Sequence, residues 1–233
     1  MKNIIAPTWK SAFVVIAVIT MAWTISSLGY YEITDTLGLT NGYNEAPILM
    51  GAYYGVWAGM VIAVFRPDVN AWIRRASPGE NRLAPAVMLI TFALFALKVL
   101  PQLPAVDPPD DLNVADIVFA QPWYFLPKTV EILFQQVLLS ALVLEMQAQK
   151  MSLRQSVILT AVLFGGFHLT LALTDANAFY VTRYTIAATL FGAIYPYLIL
   201  QRRNGFVYAF SIHWAFYAFD TTMAHFAFAA ASN

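Results

Sequence analysis

Apolar residues run along this chain in long blocks separated by short polar or basic interruptions. The blocks show neither the two-residue alternation of a half-buried strand nor the single apolar stripe of a surface helix. Seven of them stand out, at 11–29, 46–65, 83–100, 124–148, 152–173, 178–200 and 206–230. A bilayer core about 30 Å thick takes roughly 20 apolar residues per helix. Lipid offers no partner to a bare peptide group, so such blocks cross it as helices. The pattern predicts an all-α polytopic membrane bundle of about seven helices. The block at 114–120 is too short to span, and is expected to lie at the interface or dip into it ahead of Pro122 and Pro127.

Composition strengthens this picture. Of 233 residues, 60% are hydrophobic and 11% charged, which leaves a soluble domain nowhere to put its apolar surface. The basic N-terminus followed by an apolar run resembles a signal peptide, but the run is long and lacks a small-residue cleavage site, so it reads as a retained first helix. No linker or repeat divides the chain. A single membrane domain over 1–233 is expected, with three helices and an interfacial segment in 1–123 and four helices in 124–230. Net charge is zero, and nothing offers nucleic acid the basic face it requires. Without cysteine there are no disulfides, thiolate metal sites or cysteine nucleophiles.

Charge also sets an expected orientation. Ten of the 13 basic residues fall in the N-terminal segment and the loops after the second, fourth and sixth spans, while the opposite loops carry Glu32, Asp35, Glu45 and Asp107 among other acids. Cytoplasmic loops hold the basic excess. The N-terminus is therefore expected inside and the C-terminus outside, in what reads as the inner membrane of a bacterium. Tyr30, Tyr31, Trp72, Trp123 and Tyr124 lie near span ends, where interfacial anchoring is the first expectation.

Ionisable groups inside spans are costly and ask for a partner or a purpose. The candidates are Glu131, Gln135 and Gln136 in the fourth span, His168 in the fifth, and His213, Asp220 and His225 in the seventh. Glu131 and Gln135 share a helix face, as do His213, Tyr217 and Asp220. Loop counting puts Glu131 and His168 at one depth, and His213 two to three turns away. A carboxylate and an imidazole in apolar surroundings suit general acid/base activation of water, and a second imidazole suits an oxyanion. The plainer readings stand beside these. Lys128, one turn before Glu131, is placed to neutralise it. His168 follows Gly165 and Gly166, where helices approach closely, and Asp220 is near enough to His225 to pair with it. The spacing carries no metal signature, and no cofactor is expected.

At these positions the chain resembles the CAAX protease and bacteriocin-processing family of intramembrane glutamic endopeptidases. The resemblance rests on three motifs. Where the family has a Glu pair, three residues and an Arg, this chain has Val130, Glu131, Ile132, Leu133, Phe134 and Gln135, or one residue later Glu131 with Gln136. Phe164 to His168 matches the family's Phe, three residues, His. His213 to Tyr217 stands where the family has His, three residues, and Asn or Asp. The Arg202, Arg203, Asn204, Gly205 turn before the last helix keeps the family's order.

The resemblance implies that Glu131 and His168 activate water while His213, helped by Tyr217 or Gln135, holds the oxyanion, with a membrane or lipidated peptide as substrate. The departures, Gln for Arg and Tyr for Asn, imply an alternative. In it the chain is an inactive relative that serves as an accessory subunit of a larger membrane complex. A small transporter is a third reading, without a visible inverted repeat.

Overall fold

The computed structural model describes residues 9–74, 78–105, 120–173 and 176–231, and no strand occurs among them. Helix α1 (Trp9–Thr36) leads through the short α2 (Gly42–Glu45) to α3 (Pro47–Val64) and α4 (Arg66–Ile73). Next, α5 (Pro78–Leu94) continues through a wide turn at Phe95–Val99 and a tight one at Leu100–Gln102. The second half holds α6 (Phe125–Ala148), α7 (Leu153–Leu169), α8 (Ala178–Gln201) and α9 (Gly205–Ala231). Apart from Ala120, the expected interfacial block at 114–120 lies outside the described residues.

Six stretches are long and apolar enough to cross a membrane: Phe13–Thr36, Pro47–Val64, Arg82–Gln102, Pro122–Ala148, Leu153–Leu173 and Ala178–Gln201. The seventh expected span is present as α9, 27 residues long, but it falls short of the other six in apolarity. Its own polar and aromatic residues explain the difference, since His213, Trp214, Tyr217, Asp220 and His225 dilute an otherwise alanine- and phenylalanine-rich helix. The chain is thus a multi-pass, all-helical membrane bundle.

Local chemistry fixes several of the boundaries. The α6 helix ends with Lys150 in the left-handed region (φ 59°), where its amide bonds to the Gln147 carbonyl and that of Met151 to the Met146 carbonyl. These two bonds form a Schellman stop that satisfies carbonyls left over by the last turn. A capping box then starts α7, with the Ser152 hydroxyl accepting from the Gln155 amide and the Gln155 side chain accepting from the Ser152 amide. Four residues, 149–152, suffice to reverse the chain, so α6 and α7 run antiparallel and adjacent.

The bundle is built around α6. Of its apolar window 67% is buried, against 17–39% in the other five spans. On one side α3 packs along it, while α7 and α8 form the closest helix pair on the other. At that pair Gly192 brings α8 against the α7 backbone, so that a Cβ there would sit 2.8 Å from the Thr160 carbonyl oxygen and 2.9 Å from the Ala161 Cα. Only a hydrogen fits. Gly166, one helix face away, has open space where a Cβ would go.

These two glycines generate a paired prediction. Replacing Gly192 with Ala forces two backbones apart and should cost about 1–3 kcal/mol, the usual range for overpacking. Gly166→Ala should be near neutral, and thermal unfolding of both variants in detergent measures the contrast. Equal melting temperatures would remove the α7–α8 contact from the account of stability.

Candidate functional site

Glu131 lies a turn and a half into α6, in a position that solvent barely reaches. Its carboxylate collects three donors. Lys128, one turn earlier on the same helix, gives an ammonium at 2.7 Å from Oε2, and the Tyr43 hydroxyl donates to the same oxygen at 2.8 Å. The Gln135 amide, one turn later, donates to Oε1 at 2.8 Å. A carboxylate can only accept, so the Gln135 NH₂ must face Glu131 and its Oε1 points elsewhere. That oxygen is buried without a partner.

The i, i+3, i+4 spacing of Lys128, Glu131 and Gln135 accounts for their meeting on one face. Tyr43 comes from outside that pattern. It sits on α2, in the loop between the first two spans, and the loop is braced by Glu45, whose Oε1 accepts from the Thr40 hydroxyl at 2.7 Å and the Asn41 amide at 2.6 Å. Those donors, Thr40 first, hold the Glu45 carboxyl below its ordinary range. The Tyr43 phenol is pushed well above its ordinary value, chiefly by burial and next by the Glu131 charge beside it, so it remains a donor.

A cavity of about 1010 Å³ opens beside this cluster. Lys128, Glu131, Gln135, His168 and Tyr217 all line it, together with Trp23 of α1 and Tyr43. The His168 Nδ1 lies 2.8 Å from the Phe164 carbonyl, which can only accept. Nδ1 therefore carries the hydrogen and Nε2 the lone pair of the neutral ring. Trp23 stands edge-on to this imidazole at 6.2 Å between ring centres and packs on Phe167 at 4.2 Å. The Lys128 ammonium lies 4.2 Å above the centre of the Tyr217 ring, a cation–π contact that adds to its neutralisation.

His213 occupies a different layer. It is buried and is not part of the cavity wall. Its Nδ1 pairs with the Gln136 amide at 2.8 Å, and its ring stacks on Tyr217 at 5.5 Å between centres. Gln136 is five residues beyond Glu131, about 7.5 Å along the helix at 1.5 Å per residue. The offset is thus nearer one and a half turns than the two to three expected, because loop counting assumes helices that share end planes. At 27 residues α9 is longer than the bilayer core requires, and depth along it does not follow from distance to its loop.

The expected Asp220–His225 pair does not form. Asp220 is paired with Arg183 of α8 and accepts from the Tyr184 hydroxyl at 2.7 Å, while the His225 Nδ1 bonds to the Pro104 carbonyl at 2.7 Å. A guanidinium on the neighbouring helix outcompetes an imidazole five residues away on the same one, which points to another face. Two residues expected as interfacial anchors, Tyr30 and Tyr124, are also buried, both against Tyr43, at 5.0 and 5.1 Å between ring centres. Trp123 is 60% exposed, as an anchor requires.

Sequence reasoning brought together Glu131, Gln135, His168 and Tyr217 and gave Lys128 its neutralising part. It missed Tyr43, Trp23 and Arg183. Arg183 carried a signal, a lone guanidinium six residues into a span. The two aromatics carried none, being indistinguishable by pattern from the many others. No protein-family model, curated protein or solved structure matches this chain.

The ion pair generates the next prediction. Lys128→Met leaves a buried carboxylate uncompensated and should cost about 3 kcal/mol or more. Adding Glu131→Gln should restore most of the loss, and thermal unfolding of the single and double variants measures both. A single variant as stable as the parent would show that solvent in the cavity, rather than Lys128, compensates the charge.

Proposed function

We propose that this chain is an intramembrane hydrolase of the CAAX protease and bacteriocin-processing type, resident in the inner membrane of a bacterium with its N-terminus inside. Its substrate is the peptide bond of a membrane or lipidated peptide. The observation that carries the reading is the presence of Glu131 and His168, from two different helices, on the wall of one cavity. Val130 faces the other way, its side chain toward Gly55 of α3. That orientation favours the register in which Glu131 is the first acid of the family motif and Gln136 stands at the Arg position.

In this reading water binds between the two groups. Lys128 and Tyr43 occupy Oε2 of Glu131, and Oε1, with a single donor, keeps a lone pair free for the water's proton. The His168 Nε2, freed as an acceptor by the Nδ1 bond, takes or relays the same proton and later returns it to the leaving amine. The oxyanion needs donors on the cavity wall, and Tyr217 and the remaining N–H groups of Lys128 are there. His213 supports Tyr217 from behind, through ring stacking and its bond to Gln136.

A second reading is favoured by one specific observation. The 2.7 Å ion pair occupies the very carboxylate that must act as base, as in a relative that has kept the fold and lost the chemistry to serve as an accessory subunit of a membrane complex.

The two readings differ in a direct assay. Purified protein in proteoliposomes, offered a panel of transmembrane and lipidated peptides, should release fragments identifiable by mass spectrometry. Glu131→Gln and His168→Ala should each lower the rate by about 10²-fold or more, the usual scale for a lost acid/base group. His213→Ala should lower it less. No cleavage by the parent, together with copurification of a stoichiometric partner in mild detergent, would replace the first reading by the second.

A further inference from the structure

The cavity beside Glu131 runs past the polar cluster and opens sideways. One wall is α1, from Ile16 to Tyr31, and the facing wall is the second half of α7 with the turn that follows it. At the mouth, Leu28 and Val162 are each 63% exposed and Leu173 is 88% exposed, although all three line the cavity. All belong to membrane-crossing stretches. The opening therefore faces hydrocarbon, and what enters through it comes from the bilayer.

An opening of this kind calls for an apolar wall, and α1 departs from that. Thr20, Thr24 and Ser27 line the cavity, at the i, i+4, i+7 spacing of one helix face. A hydroxyl on a helix commonly turns back to a carbonyl three or four residues earlier. Thr34, Thr91, Thr129, Thr170, Thr189 and Thr222 do so in this chain. Among the described residues, the side chains of Thr20, Thr24 and Ser27 make no hydrogen bond. Each hydroxyl is both a donor and an acceptor. All three stand in the middle of the Phe13–Thr36 stretch, at a depth where lipid supplies no partner.

These hydroxyls are level with the candidate site. Trp23, the residue before Thr24, stands 6.2 Å from the His168 ring and 4.2 Å from that of Phe167, between centres. Other walls of the same cavity carry the His168 Nε2 lone pair and the buried Lys128, which has N–H groups beyond the one given to Glu131.

Number and charge define what fits. Lys128 and Glu131 compensate each other, so the wall selects no ionic headgroup. It offers neutral hydrogen-bonding positions in a row, spread over about 10.5 Å from Thr20 to Ser27 at 1.5 Å per residue. A lipid headgroup carries its polar atoms at one depth and leaves most of that row unmet. A peptide backbone brings one donor and one acceptor per residue, and about three residues of extended chain cover the row at 3.4 Å each. A helical peptide has its groups bonded internally. One unwound inside the bilayer has lost those bonds and needs partners.

We propose that the cavity binds a segment of a membrane-embedded peptide in extended form, its backbone hydrogen-bonded to Thr20, Thr24 and Ser27 on α1 and laid past Glu131 and His168. The binding takes its purpose from the hydrolase reading, on which it rests, because a peptide bond must leave its helix before water can attack it. It is measured without cleavage, so the two fail on different evidence.

The test removes the hydroxyls and keeps their shape, by combining Thr20→Val, Thr24→Val and Ser27→Ala. Parent and triple variant are placed in phosphatidylcholine vesicles with a Leu/Ala transmembrane peptide of about 20 residues. At its centre the peptide has a Gly-Ser pair, a photoleucine and one carbon-13 carbonyl. After irradiation and digestion, label on the parent should concentrate on peptides covering 16–31 and 162–171. The yield there should fall about tenfold or more in the triple variant, the scale of three lost hydrogen bonds. On adding excess parent protein, the carbon-13 amide I band should move from its helical to its extended position. If the triple variant melts below the parent, Thr24→Val alone serves, with a fall of about threefold. The proposal is overturned by equal label on parent and folded variant, by equal label on the lipid-facing α5, or by a bound carbonyl that stays helical. Loss of cleavage with labelling unchanged overturns it too, and assigns the hydroxyls to water. A parent that labels as expected and cuts nothing removes the hydrolase reading and leaves the extended peptide in its place.

Discussion

A single carboxylate placed within an apolar bundle dictates much of how this protein is put together. Glu131 cannot be left bare in a medium that solvates ions poorly, where a charged side chain at the helix centre costs about 2.5–3.5 kcal/mol on insertion scales. Its three donors come from α6 itself and from the loop between the first two spans. Lys128 is supplied by helix geometry alone. Tyr43 is not, and its presence requires α2 to fold back over the start of α6. The Tyr30, Tyr54 and Tyr124 rings pack around the Tyr43 ring. The N-terminal helices are thereby tied to the site, rather than simply preceding it.

The same principle repeats down α6. Thr129 accepts from the Trp214 indole, Gln136 pairs with His213, and the Gln136 carbonyl accepts from the Tyr195 hydroxyl. With its proton given to that carbonyl, Tyr195 must accept from Ser140 at 2.8 Å. These polar groups on the central helix thus address α9 at two levels and α8 at a third. Hydrophobic exclusion does not drive association inside lipid. Directional bonds and close packing carry it instead, and α6 is the element on which both converge.

What the sequence revealed follows from where the physics is local. Six spans were legible because their length and apolarity are requirements of the bilayer, and α9 was legible as a helix despite its diluted apolarity. The α6 part of the site was legible because fixed helical spacing puts Lys128, Glu131 and Gln135 on one face, and His168 of α7 because loop counting gives it the depth of Glu131. The partners of Asp220 and the donor Tyr43 were not. They depend on which helices become neighbours and at what height, and no periodicity within a span encodes either. Tyr30 and Tyr124 were misplaced for the same reason. An aromatic at a span end is an anchor if it faces lipid and core if another loop folds over it.

The sideways opening of the cavity also has a packing origin. On α7, Thr160, Ala161 and Gly165 face α8 and permit the tight approach at Gly192 and Thr189. That face commits α7 to α8 and turns Val162, Gly166 and Phe167 toward α1. From its side, α1 is drawn to α3 by the bond from the Tyr53 hydroxyl to the Ser26 carbonyl, at a point where Gly29 leaves room for the ring. Two helices held firmly by opposite neighbours do not close on each other, and the gap between them persists without any residue dedicated to keeping it open. The polar cluster lies at the back of that gap. Trp23, which stands against both Phe167 and the His168 ring, lines the cavity where α1 meets α7.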